Sequence, residues 1–182
     1  MYRHDGVRSS GAKTTVSATL KPRWETEIGG ALTQPVIAGG KVVVASTDSH
    51  TVHALDAGTG KAIWSFTCGG RVDTAPTIHN DTVLVGSSDG WVYCLAASDG
   101  ALAWRFRAAP EERQIVSFGQ LESAWPVHGS VLIQDGKAIV AAGRTSYLDG
   151  GMHIAVLDPA TGTVLQRKTV DTTGYKHPKD PP

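Results

Sequence analysis

The stretch that decides the fold runs Ala54-Leu55-Asp56-Ala57-Gly58-Thr59-Gly60-Lys61-Ala62-Ile63-Trp64. It reads as the end of one β-strand, a tight polar turn and the start of the next, because apolar residues flank a cluster of Asp, Gly and Thr. Moved on by 40 residues, Val52-His53-Ala54-Leu55-Asp56 falls without gaps on Val92-Tyr93-Cys94-Leu95-Ala96, and Gly60 falls on Gly100. Trp24, Trp64 and Trp104 keep the same step of 40. A third copy, Ile154-Ala155-Val156-Leu157-Asp158, stands 62 residues beyond the second and so carries 22 more than the period.

Working outward from the turn, each copy reads as four short strands. The first places them at 33–38, 41–46, 51–56 and 62–67, and the second at 74–79, 82–87, 91–95 and 101–107. The third places them at 131–134, 137–142, 153–158 and 164–168. β-Branched and aromatic residues fill these runs, and Gly, Asp, Asn and Ser punctuate them. No stretch carries the 3.6-residue period of an amphipathic helix. A period near 40 with four strands per unit predicts an all-β fold of four-stranded antiparallel propeller blades. The expected organisation is an N-terminal extension over 1–20, blades over 21–170 and a Pro-rich tail over 171–182. Within the blades, a leading strand at 21–28 carries Trp24, and the three units span about 31–67, 73–107 and 125–169.

The decisive stretch matches A-x-D-x-x-T-G-K-x-x-W, so the chain resembles the PQQ-like (quinoprotein-like) β-propeller repeat proteins, of the bacterial outer-membrane assembly lipoprotein type. The second copy keeps Gly100 and Trp104 of this tryptophan-docking motif. The third keeps Asp158, Thr161 and Gly162 but has Gln166 where the Trp would stand. The resemblance implies that Trp24, Trp64 and Trp104 fasten neighbouring blades, each ring nitrogen bonding a backbone group of the adjacent blade. Gly60, Gly100 and Gly162 would then supply positive φ in the turn between the third and fourth strands. It also implies a ring of seven or eight blades, so three blades and one strand are expected to be a fragment, because an open arc exposes its end faces. An exported, periplasmic or envelope location follows by resemblance alone.

Bulk properties narrow the function classes. Seventeen basic and seventeen acidic residues balance, which offers no overall field for nucleic acid or an anionic membrane. No apolar run approaches the roughly 20 residues of a membrane-spanning helix. The N-terminal residues lack the apolar core of a signal peptide. The two cysteines, Cys68 and Cys94, lack metal-ligand spacing and read as a residue near a strand end and a buried strand residue.

The departures from the repeat locate candidate function. Trp64 to Pro76 is 12 residues, whereas Trp104 to the equivalent Val131 is 27. A smaller addition lies near 144–151, between the second and third strands of the third blade. Both additions emerge on one face, because strands alternate direction within a blade. Loops on a rigid scaffold commonly carry binding groups. The candidates on that face are Asp48, His50, Arg71, Asp73, Asp89, Arg113, Glu122, His128, Arg144, Tyr147 and Asp149. Arg71, Asp73, Arg113, Glu122, His128, Arg144 and Tyr147 are carried forward as the expected binding surface, with Phe118 and Trp125 as apolar anchors. Phe118, Leu121 and Trp125 read equally as pins holding the insertion to the propeller. Asp48, Asp73 and Asp89 read as turn stabilisers that bond nearby backbone N–H groups.

Two functions follow. The first is a non-catalytic scaffold or binding surface whose partner is a protein, a ligand or further blades, with no cofactor in this segment. The second is part of a PQQ-dependent alcohol or sugar dehydrogenase, which would need calcium held by carboxylate and amide oxygens beside the quinone and an Asp general base. The resemblance adds an adjacent-cysteine pair to that expectation. The chain has no Cys-Cys pair, and Asn80 is its only asparagine. No GxSxG or HExxH motif occurs, and the Gly-Gly pairs lead into no helix that would cradle phosphate.

Overall fold

Runs such as Val42-Val43-Val44 and Val83-Leu84-Val85 have apolar residues at consecutive positions, the pattern of a strand covered on both faces. A computed structural model describes residues 15–117 and 119–172 of the chain. It contains three four-stranded antiparallel sheets, each with its strands in sequence order. The first blade comprises β1 (Val36–Ala38), β2 (Lys41–Ser46), β3 (Thr51–Asp56) and β4 (Ala62–Thr67). The second comprises β5 (Thr77–His79), β6 (Thr82–Gly86), β7 (Trp91–Ala96) and β8 (Leu102–Arg107). A hairpin of β9 (Gln114–Ser117) and β10 (Gln120–Ser123) precedes the third blade. That blade comprises β11 (Leu132–Gln134), β12 (Lys137–Ala142), β13 (Met152–Leu157) and β14 (Val164–Val170).

The core lies between blades. Val43, Val52, Ala54, Trp64, Val83, Val85, Tyr93 and Leu95 form one buried cluster between blades one and two. Leu84, Val92, Cys94, Phe106, Val140, Ala155 and Leu157 belong to another between blades two and three. Alternate residues of β6 therefore enter opposite clusters, as the period of two along a strand requires. The first strands adjoin, β1 against β5 and β5 against β11, and the Thr77 hydroxyl donates to the Val131 carbonyl at 2.6 Å. The first strands are thus the inner ones and the fourth strands form the rim.

The turns repeat in detail. Asp56 Oδ1 accepts from the N–H groups of Gly58 and Thr59 and from the Thr59 hydroxyl. Asp158 accepts from Ala160 and Thr161 N–H in the same manner. The Thr59 side chain and backbone bonds hold the Asp56 carboxyl below its ordinary value. Gly60, Gly100 and Gly162 have φ of 72°, 75° and 72°. A Cβ at these positions would come within 2.5–2.7 Å of the indoles of Trp24, Trp64 and Trp104 respectively. Glycine is required there twice over, by the backbone conformation and by the approach of the ring.

Three sequence expectations need correction. Residues 21–28 form no strand. Trp24 and Thr26 bond the turn of blade one through their side chains, but no strand among the described residues runs beside the segment to complete a ladder. The inserted segment, read as loop, contains the β9–β10 hairpin. The first strands of blades one and two are also shorter than expected, three residues each. The extension before residue 15, Phe118 and the tail after residue 172 lie outside the described residues.

Candidate functional site

The β9–β10 hairpin is laid across the face that carries its own loop. Val116 and Leu121 are direct cross-strand partners, as are Ile115 and Glu122. Because side chains alternate, one side of the hairpin carries Val116 and Leu121 and the other carries Ile115 and Glu122. Val116 and Leu121 are 75% and 62% exposed, whereas Glu122 is 1% exposed. The expectation that Leu121 pins the insertion is therefore wrong; Trp125, buried and bonded through its ring nitrogen to the Asp149 carbonyl, holds it down. Near the hairpin tip, Gln120 Oε1 lies 3.0 Å from His50 Nε2 of blade one. At its base, Ser123 N–H donates to the Ser88 carbonyl of blade two.

Beneath the hairpin, three blades contribute to one ion-pair network. Arg144 Nη2 donates to Glu122 Oε2 at 2.6 Å, and its Nη1 reaches the Ala124 carbonyl at 3.1 Å. Arg71, following the Gly69-Gly70 turn, donates to Asp73 Oδ1 at 2.8 Å and lies 4.0 Å from both Glu122 and Asp48. Asp73 Oδ2 also accepts from the Ser88 hydroxyl at 3.0 Å and pairs with His128 Nδ1 at 2.9 Å. The His128 hydrogen bond foremost, then Ser88 and the Arg71 charge, pull the Asp73 carboxyl down to about 2 against the opposing effect of burial. Glu122 Oε1 is buried without a hydrogen-bond partner.

The expected residues divide cleanly. The structure brings Arg71, Asp73, Glu122, His128 and Arg144 into contact through the pairs just described. Arg113 stands apart from that network, paired with Asp149 and stacked 4.6 Å from the Trp125 ring centroid. Tyr147 is exposed and shares in neither arrangement. Asp73 does not serve its turn through backbone N–H groups, since its partners are Arg71, Ser88 and His128. Asp48 is exposed and faces Arg71. Asp89 does bond a backbone N–H, that of Trp91, and also accepts from the Tyr93 hydroxyl. Sequence reasoning missed Ser88 and Gln120, two small or neutral groups with no motif around them. Burial, aided by the Asp89 charge, pushes the Cys68 thiol up to about 12, and Cys94 is raised by burial too. Neither is a ready thiolate. Among the described residues no group of three His, Cys, Asp or Glu side chains is placed to hold a metal ion, and no helix is long and apolar enough to cross a membrane.

The fasteners complete the picture. Trp24, Trp64 and Trp104 donate from their ring nitrogens to the carbonyls of Ala57, Ala97 and Pro159 at 3.0, 3.0 and 3.1 Å. Each acceptor directly follows the last residue of the repeat's Leu-Asp, Leu-Ala or Leu-Asp pair, so the bond recurs at one position of every blade. Four-stranded blades fastened in this way define a PQQ-like, quinoprotein-like β-propeller. The chain belongs to the family described as the outer membrane protein assembly factor BamB, whose model matches residues 10–177.

Quinone-dependent dehydrogenases and assembly factors both stand among its curated relatives. The chain is 28% identical over 157 residues to the dehydrogenase subunit of the quinone alcohol dehydrogenase of Gluconobacter oxydans, covering 79% of this chain and 20% of that one. It is 38% identical over 89 residues to the outer membrane protein assembly factor BamB of Xanthomonas campestris, covering 48% and 21%. Among solved structures, the quinohemoprotein alcohol dehydrogenase from Comamonas testosteroni superposes with a TM-score of 0.62 at 24% identity, covering 77% of this chain and 21% of that chain. The last likeness shows the fold. The chain spans about a fifth of the length of these relatives.

Proposed function

We propose that this chain is a non-catalytic propeller segment whose hairpin-bearing face is a binding surface for a protein. The observation that carries the reading is the two-sided hairpin. Its inner side is anchored by Glu122 to Arg144 and Arg71, and its outer side presents Val116 and Leu121 to solvent on that anchored support. An apolar pair held out by a rigid polar foundation suits partner contact, where a few desolvated side chains supply most of the affinity. The relatives described as assembly factors fit a role in protein assembly.

Three carboxylates of this face are already engaged by other groups, which supports a face without a calcium–quinone pair. Asp73 is engaged by His128, Ser88 and Arg71, Glu122 by Arg144, and Asp149 by Arg113. Asn80, which could offer an amide oxygen, lies in the turn between β5 and β6, on the opposite face. A second reading, a segment of a quinone-dependent alcohol dehydrogenase, is favoured by the similarity to the Gluconobacter oxydans subunit.

One experiment separates them. Titrating the full-length protein with PQQ and Ca²⁺ should produce no saturable change in quinone absorbance. A photo-crosslinking residue at Val116 or Leu121 should trap a discrete protein in the native cell, and the same residue at exposed Gln134, beside the β11–β12 turn on the opposite face, should not. Saturable quinone binding with dye-linked alcohol oxidation would establish the dehydrogenase instead.

A further inference from the structure

The backbone of the hairpin leaves one edge unused. Ala124 N–H donates to the Arg113 carbonyl at 2.9 Å, so this pair continues the β9–β10 register and is a hydrogen-bonded one. Bonded and non-bonded pairs alternate along an antiparallel ladder. Ile115 with Glu122 and Ser117 with Gln120 are therefore bonded pairs, while Gln114, Val116, Leu121 and Ser123 direct their backbone groups outward. On the β10 side the outward N–H of Ser123 donates to the Ser88 carbonyl of blade two at 2.8 Å. On the β9 side nothing among the described residues meets the backbone of Gln114 or Val116, and the hairpin sheet has only its two strands.

That edge is also unguarded. Natural edge strands discourage pairing with lysine, proline, inward charges or bulges. Gln114-Ile115-Val116-Ser117 contains no charge and no proline, and it pairs with β10 without a bulge. Gln114 and Val116 are both exposed. A strand laid beside β9 would set a side chain against Val116 on the apolar outer side, where a β-branched or aromatic neighbour packs best. The base of the hairpin supplies charge. A cleft of about 240 Å³ there brings Gln114 together with Trp91, Arg105 and Arg107. The Arg105 guanidinium stacks on Trp91, 4.6 Å from the ring centroid. Neither Arg105 nor Arg107 is ion-paired among the described residues. Of the carboxylates bordering the cleft, Asp89 is taken by the Tyr93 hydroxyl and Glu111 by Arg113. Two guanidinium groups then face Glu112 alone.

We propose that the free edge of β9 captures an extended segment of the partner protein by strand addition. An apolar side chain of that segment packs against Val116, and an acidic one passes Gln114 to reach Arg105 and Arg107. This mode of capture rests on the hairpin-bearing face being the partner surface. Backbone bonds supply affinity and the side-chain contacts select the sequence. The probe is the peptide acetyl-Asp-Thr-Val-Thr-Val-Thr-Asp-amide. Its valines and aspartates share one side of a strand, and an acid at either end leaves both strand directions open to it.

The full chain is titrated with this peptide while amide hydrogen exchange is followed by NMR. Saturable binding should slow exchange at Gln114 and Val116 by about tenfold or more and change little at Ile115 and Ser117, whose N–H groups are already in the ladder. Val116→Pro removes an outward donor but no ladder bond. It should weaken binding about tenfold, whereas Val116→Thr keeps the N–H and the branched Cβ and should stay within about threefold. Should Val116→Pro distort the hairpin, the unaltered chain still gives the answer through two peptides N-methylated at the odd or at the even positions. One should bind like the parent and the other about tenfold more weakly. Arg105→Gln with Arg107→Gln should weaken binding about fivefold or more and flatten its salt dependence. Binding that leaves exchange at Gln114 and Val116 unchanged would overturn strand addition and leave the surface to side-chain contacts alone. Equal affinities for the two methylated peptides would overturn it as well, as would binding that never saturates. Unchanged affinity in the double arginine variant would overturn the acidic contact. Protection of both amides that grows with protein concentration in the absence of peptide would assign the edge to a second copy of the chain and overturn capture of a partner segment.

Discussion

The indole of Trp64 lies against Gly100 so closely that an added Cβ would stand 2.7 Å from the ring, while its nitrogen donates to the Ala97 carbonyl at 3.0 Å. One residue of blade one thereby fixes both the position and the height of the turn in blade two. Trp64 is 8% exposed, so its removal opens a cavity as well as leaving a carbonyl unpaired. Trp64→Ala is expected to cost about 3–5 kcal/mol, and Trp64→Phe less because ring packing survives. Urea unfolding of the full-length protein measures both. A loss below about 1 kcal/mol for the alanine variant would remove the indole from the role of fastener.

Gly100→Ala tests the same contact from the other side. It places a side chain at φ 75° and against the indole, combining a left-handed backbone cost of about 1–2 kcal/mol with a steric one. Gly39→Ala is the control. It also has positive φ but has nothing within 4 Å of an added Cβ, so it should lose only the backbone share. Equal losses at the two sites would mean that ring contact contributes nothing.

The blades were legible because one structural solution is used three times. Asp56, Gly60 and Trp64 state it in full, and the 40-residue step finds the degraded copies. Alternating strand direction then places the loops of 69–76, 87–90, 108–131 and 143–151 on one face, where Arg71, Asp73, Glu122, His128 and Arg144 do meet. The rest was hidden for physical reasons. Residues 21–28 alternate Trp24, Thr26 and Ile28 with charged residues as an outer strand would, but a strand exists only where a neighbour accepts its hydrogen bonds, and no strand among the described residues supplies one. The hairpin has no copy elsewhere in the chain to reveal it. Its signal was local, a short run Gln114-Ile115-Val116-Ser117 followed closely by Gly119 at φ 74°, and easily read as loop.

Glu122 is buried and its partner Arg144 is partly buried, and the worth of the pair is best measured by a cycle. Removing one partner of such a pair strands the other and costs about 3–5 kcal/mol, whereas replacing both with apolar groups costs much less. Glu122→Leu and Arg144→Met should each destabilise the protein by that order. The double variant should fall well short of their sum, with a coupling on the order of 2 kcal/mol. Additive losses in urea unfolding would show that the two side chains act through separate neighbours.

Asp73 makes acid stability a readout of the same network. Its carboxyl is held at about 2, below the ordinary 3.8, so the folded protein binds that proton less tightly than the unfolded chain. The associated stability, about 2 kcal/mol, is fully present above about pH 5. It declines as pH falls through the unfolded value near 4 toward the folded value near 2. Asp73→Asn should lose this amount at neutral pH and show a shallower decline between about pH 5 and 2. Parallel acid limbs for the two proteins would exclude Asp73 as the group responsible.

Val116 and Leu121 allow surface function to be separated from stability. Both are exposed on the outer side of the hairpin, so Val116→Asp with Leu121→Asp should change unfolding free energy by no more than about 0.5 kcal/mol per site. The change places two carboxylates directly opposite one another on a two-stranded ribbon, where like charges repel, and some fraying of the hairpin is expected on that account. Val116→Ser with Leu121→Ser therefore serves as the uncharged companion. If the outer side of the hairpin carries the partner contact, both variants should abolish the crosslink formed from an adjacent exposed position such as Gln114, while their Trp fluorescence and unfolding midpoints stay near those of the parent. A crosslink that persists in both variants would move the contact to another part of the face. The exposed side chains of Tyr147 and Leu148, in the loop between β12 and β13, would then be the next positions to change.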